Sequence, residues 1–118
     1  KIITRKEKGM KLITKEIMKK LKNNPRDTET NKPYLKLFNP TGSQTWLISE
    51  IEDDGDTMFG ICDLGMGYPE LGNVSLKELT ELKLPPFGLT VERDTSFTPT
   101  KTLSEYATEA RQYGGLLA

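Results

Sequence analysis

Six carboxylates crowd the stretch "SEIEDDGDTMFGICDLG" at residues 49–65: Glu50, Glu52, Asp53, Asp54, Asp56 and Asp63. Side chains of this type can hold a hard cation, present a negative surface to a basic partner, or cap the backbone of a turn. A calcium loop is tested by register. With Gly55 at its sixth position, Glu50, Glu52 and Asp54 take the first, third and fifth, but the twelfth, which needs a bidentate Glu, is Ile61. That template fails. A magnesium site for phosphodiester cleavage needs only carboxylates that converge, and Glu50, Glu52 and Asp63 would supply them if a hairpin brought them together. This carboxylate-metal nuclease is the catalytic alternative to a chain that is otherwise expected to be no enzyme and to carry no metal or cofactor. The absence of histidine removes imidazole triads, most zinc sites and the usual general base near neutral pH. Cys62, the single cysteine, has no partner for a disulfide or a thiolate metal site and reads as a small buried strand residue.

The opposite charge is concentrated elsewhere. Lys11, Lys15, Lys19 and Lys22 fall along one stripe of a helical repeat, where they could follow a phosphate backbone, with Tyr34, Phe38 or Trp46 stacking on bases if exposed. The plainer reading is a solvated helix face and three core aromatics. Glycines in "GMGYPELG" invite a dinucleotide fingerprint, but Glu70 stands where its third glycine belongs and Tyr68-Pro69 cannot open the required helix. The formal net charge is zero, yet residues 1–26 hold ten basic and two acidic side chains, leaving +8 there and −8 over residues 27–118. A basic arm and an acidic body speak to partners rather than to fold.

These side chains must be placed by the elements around them. Thr14 as an N-cap, Ile13 before it, Ile17, Met18 and Leu21 at helical spacing and Pro25 beyond predict a helix over 15–23. Residues 27–33 read as a loop. "YLKLF", "TWLISEIE" and "TMFGICDL" are strand-like runs separated by "NPTGSQ" and "DDGD", which predicts an antiparallel meander. Trp46 and Ile48 would share one face, with Leu47 on the other. Asp54-Gly55 is a hairpin signal, and reversing Asp53, Asp54 and Asp56 to lysine with Gly55 retained is expected to leave the turn intact. Ser75 and Glu78 make a capping box for a helix over 76–82 with Leu76, Leu79 and Leu82 inward; "GMGYPELG" before it reads as a loop. A strand near 89–93 and a helix of about 103–112, boxed by Thr102 and Glu105 and stopped at Gly114-Gly115, complete the pattern.

The expected fold is α+β: a small antiparallel three- or four-stranded sheet packed by N-terminal, central and C-terminal helices. Residues 1–9 read as an N-terminal arm or start-site extension, 10–113 as one domain and 114–118 as a tail. No apolar run approaches the roughly 20 residues of a membrane span, and no secretory pattern is visible, so a cytoplasmic setting is expected.

"MKLITKEIMKKL", "TWLISE", the acidic turn before "FGICDLG", "ELGNVSLKEL" and above all "GLTVERDTSFTPTKTLSEY" carry a family likeness. From Met10 to about Tyr106 the chain resembles the bacterial domain of unknown function twenty-nine fifty-eight. Such proteins are similar to small cargo genes of phages, plasmids and conjugative elements, often beside anti-restriction genes. The resemblance implies a mobile-element origin and brings no catalytic residues with it. Together with the charge pattern it makes a protein-binding role the leading expectation: counter-defence against a host restriction or CRISPR nuclease, through Glu50, Glu52, Asp53, Asp54, Asp56 and Asp63. The alternative is a nucleic-acid-binding accessory protein using the lysine stripe.

Overall fold

The computed structural model describes residues 12–24 and 26–118, so Lys11, Met10, Pro25 and the proposed arm at 1–9 lie outside the described residues. Helix α1 spans Lys15–Asn23, as its signals require: Thr14 is extended and its side chain accepts a hydrogen bond from the Ile17 N–H at 3.1 Å. The fully buried Leu21 anchors the helix on the sheet, and Ile17 and Met18 pack beside it.

Among the described residues the sheet has five strands, one more than the largest number expected. They are β1 (Leu35–Phe38), β2 (Thr45–Ile51), β3 (Thr57–Asp63), β4 (Glu70–Ser75) and β5 (Glu92–Arg93), ordered β4-β3-β2-β1-β5. Every pairing is antiparallel. The strand missed from sequence is β4. Its glycine and asparagine depress β-propensity, and pairing along β3 from Cys62↔Glu70 to Thr57↔Ser75 overrides that preference. Helix α2 (Leu76–Glu81) begins directly from β4, with Ser75 as N-cap, and α3 (Leu103–Tyr113) is closed by the Thr102–Glu105 capping box and by Gly114 at φ 72°. Leu79 is buried and Leu76 partly so, but Leu82 is exposed: the helix has ended, and its extended cap residue turns away from the core.

Helices cover both faces. On one, Trp46, Ile48, Ile51 and Met58 join Leu35, Leu37 and the side chains of α1 and α2; on the other, Leu47, Ile61 and Phe59 pack on Leu103, Tyr106 and Ala107 of α3. Burial on both sides explains the nearly continuous buried run of β2. Trp46 is 4% exposed, a core residue as its alternation implied. Residues 114–118, expected as a tail, are tied down. The Leu116 N–H donates to Asp63 Oδ2 at 3.0 Å, the Leu116 side chain packs on the α3-side core, and Lys36 Nζ donates to the Ala118 carbonyl at 2.8 Å. No helix among the described residues is long and apolar enough to cross a membrane.

Candidate functional site

The acidic end of the β2–β3 hairpin is shaped by a bulge. Ile48 pairs with Gly60 and Glu50 with Phe59, leaving Ser49 without an opposite residue. Simple alternation from Trp46 and Ile48 would drive Glu50 into the core beneath α1. The extra residue resets the phase, so that Ile51 takes that place and Glu50 shares the face of Phe59. Gly60 makes room: a Cβ there would lie 1.9 Å from the Leu47 carbonyl oxygen and 2.8 Å from Ile48 Cα.

The segment leaving α1 crosses this bulge. Asn24 Nδ2 donates to the Ser49 carbonyl at 2.6 Å, Arg26 Nε lies 3.9 Å from Glu50 Oε1, and the Arg26 guanidinium hydrogen-bonds Glu52. Glu50 is only 7% exposed, and that burial pushes its carboxyl above the usual range while Arg26 pulls it back. Together these groups line an open cleft of about 460 Å³, with Lys22, Asp53 and Phe59 among its walls. Arg26 and Asn24 were not singled out in the sequence; the only signal was their position just past the helix stop.

The hairpin aspartates do different work. Asp54 Oδ1 accepts from the Asp56 and Thr57 N–H groups at 2.9 Å each, and its Oδ2 accepts from Thr57 Oγ1 at 2.7 Å. Those bonds favour the charged form and hold its carboxyl below the ordinary range, the Thr57 hydroxyl contributing most. Gly55 completes the turn at φ 70°. Asp56 links the turn to α2: Oδ2 accepts from Ser75 Oγ and Oδ1 from the Lys77 N–H, both at 2.7 Å, while its carbonyl takes the Leu76 N–H at 2.9 Å. The expectation that Asp54 and Asp56 could be reversed without cost to the turn is therefore corrected. Gly55 is only one of the constraints, and these carboxylates also accept from backbone donors that fix the turn and the start of α2.

Asp63 is not part of this cluster. It pairs with Thr45 at the far end of β3, four residues beyond Phe59 and so roughly 13 Å along the strand. There Oδ1 accepts from the Gly65 N–H at 2.8 Å and Oδ2 from Leu116. The carboxylate trio Glu50, Glu52 and Asp63 is thus not assembled. Among the described residues no group of three or more metal-ligating side chains could hold an ion.

A family model described as "Protein of unknown function (DUF2958)" matches residues 12–117. The chain belongs to the DUF2958 family. No curated protein and no solved structure matches it.

The lysine stripe of this DUF2958 protein is only partly a surface of its own. Lys15, Lys19 and Lys22 are exposed on α1, but Lys22 borders the acidic cleft, so its field is set against that of Glu50 and Glu52. The three aromatics do not form a stacking platform. Trp46 is buried on the α1 side, Phe38 pairs with Thr45 and faces the other side, and Tyr34 carries Lys20 Nζ 5.4 Å from its ring centroid. Cys62 is partly buried, and burial pushes its thiol up, away from the reactive thiolate.

Proposed function

We propose that this DUF2958 protein is a mobile-element accessory protein that acts by binding another protein through the acidic end of its β2–β3 hairpin. The observation that carries this reading is the gathering of Glu50, Glu52, Asp53, Asp54 and Asp56 around one end of the sheet, with Arg26 and Lys22 as the basic residues lining the same cleft. A negative prow of this kind suits a basic groove, because it steers encounter and substitutes for phosphate charge. The family resemblance to phage, plasmid and conjugative-element cargo makes a nuclease of a restriction or CRISPR system the fitting partner class, and the role counter-defence.

The test is affinity capture from host lysate followed by kinetics with the captured partner. The informative variant is Glu52→Lys with Asp53→Lys, which changes the field and spares the turn carboxylates of Asp54 and Asp56. It should slow association and flatten its dependence on salt. Neutralising Lys15 and Lys19, which do not line the cleft, to Gln should leave partner binding unchanged. Tight nucleic-acid binding near physiological salt, lost with those lysines, would replace the protein-binding reading by the nucleic-acid one.

A further inference from the structure

The two edges of the sheet are unlike. At one, β5 is only two residues long and offers little backbone to pair with. At the other, β4 runs for six residues, Glu70–Ser75, and no described strand pairs with its outer side. Exposed edges of this length are usually blunted by lysine, proline or a bulge, because their free N–H and C=O groups template another strand. Strand β4 has no lysine or proline, and its register against β3 is continuous.

Backbone direction follows from one bond. The Leu76 N–H donates to the Asp56 carbonyl across the β3–β4 ladder, so by alternation Val74, Gly72 and Glu70 turn their backbone groups toward β3. Leu71 and Asn73 turn theirs outward, and Ser75 its N–H, its carbonyl being the first acceptor of α2.

We propose that β4 is a dimerisation edge that pairs antiparallel with β4 of a second copy about a two-fold axis through Asn73, joining two five-stranded sheets into one of ten strands. The strand is self-complementary in that register. Asn73 meets Asn73 of the second copy, Leu71 meets Ser75, and Gly72 meets Val74, so residues on the same face oppose one another and no two like charges do. Exposed Asn73 can hydrogen-bond its counterpart amide across the axis. Charge complementarity also selects a second copy. Glu70 and Lys77 are both exposed and sit at opposite ends of the paired segment, so the two-fold carries each Glu70 toward the Lys77 of the other copy. Tyr68, 80% exposed just before the strand, then lies beside the first turn of the other copy's α2 and extends the contact past the ladder. The paired segment is short, which sets the dissociation constant on the order of 10 µM rather than nanomolar.

Sedimentation velocity over about 1 to 300 µM protein tests the proposal across that range. The unmodified protein should pass from monomer to dimer. Asn73→Lys and Asn73→Glu each set like charges against each other at the axis and should weaken the dimer by roughly tenfold or more. An equimolar mixture of these two variants should dimerise again, because the register places position 73 against itself. Glu70→Lys, placing a cation against Lys77, should weaken the dimer as well, and Trp46 emission reports that each variant is folded. A monomer at every concentration, a dimer indifferent to Asn73→Lys, or a mixture that stays monomeric would each overturn the proposal.

Discussion

Replacing Arg26 by alanine asks whether the cation at the acidic cleft is there for the buried Glu50 or merely decorates the surface. Arg26 Nε lies 3.9 Å from Glu50 Oε1, which at an effective dielectric of about 20 corresponds to roughly 4 kcal/mol. Solvent screening discounts this heavily, since the Arg26 side chain is 71% exposed although that of Glu50 is only 9% exposed. The expected cost at pH 7 is therefore about 1 kcal/mol, or about 3–5 °C in Tm. The sign of the pH dependence follows from Glu50, whose folded pKa is raised above its ordinary 4.5. Below that ordinary value the carboxyl is protonated both folded and unfolded, and its burial carries no ionic penalty. As pH rises from there through the folded pKa, the unfolded chain releases the proton first and stability is lost. Arg26→Ala removes the influence that lowers this pKa, so its deficit should be present at pH 7 and nearly absent at pH 4. Glu50→Gln should be no less stable than the unmodified protein at pH 7, and in that background Arg26→Ala should cost only about 0.3 kcal/mol, the exposed pair with Glu52 alone. Urea denaturation followed by Trp46 fluorescence at both pH values measures all four proteins. An Arg26→Ala penalty as large in the Glu50→Gln background, or as large at pH 4, would refute the reasoning.

Gly60→Ala should destabilise by about 3 kcal/mol in the same denaturation assay, because the added methyl meets the backbone of β2 rather than a movable side chain; a loss under about 1 kcal/mol would show that the bulge yields easily. Asp56→Ala should cost about 2 kcal/mol through loss of its bonds to Ser75 and Lys77, whereas Asp53→Lys should stay within about 0.5 kcal/mol; equal effects would mean that Asp56 carries no such role. Ser49→Ala should stabilise by about 1 kcal/mol, since the fully buried Ser49 Oγ has no protein hydrogen-bond partner among the described residues. A clear destabilisation would reveal a bond to that hydroxyl.

Where local chemistry decides structure, the sequence was readable. Thr14, Ser75 and Thr102 each cap the helix their spacing announces, because an N-cap oxygen satisfies backbone donors only a few residues away. The faces of Trp46, Leu47 and Ile48 likewise follow from a period of two. What was not readable depends on pairing. Strand β4 exists because β3 offers it an edge, and the bulge at Ser49 exists because Gly60, eleven residues away, leaves space for it. The candidate site shows the same division. A run of acids is legible as charge, but its partition is not: short aspartate side chains at 54, 56 and 63 reach nearby backbone donors, whereas the glutamates at 50 and 52 reach across the cleft to Arg26. Charge density therefore overstated how many of these residues are free to meet a partner. Asp53 makes no hydrogen bond or ion pair among the described residues, and the Glu52 side chain is held only by an exposed arginine. It is at these two positions that the surface field can be changed while the fold is left alone.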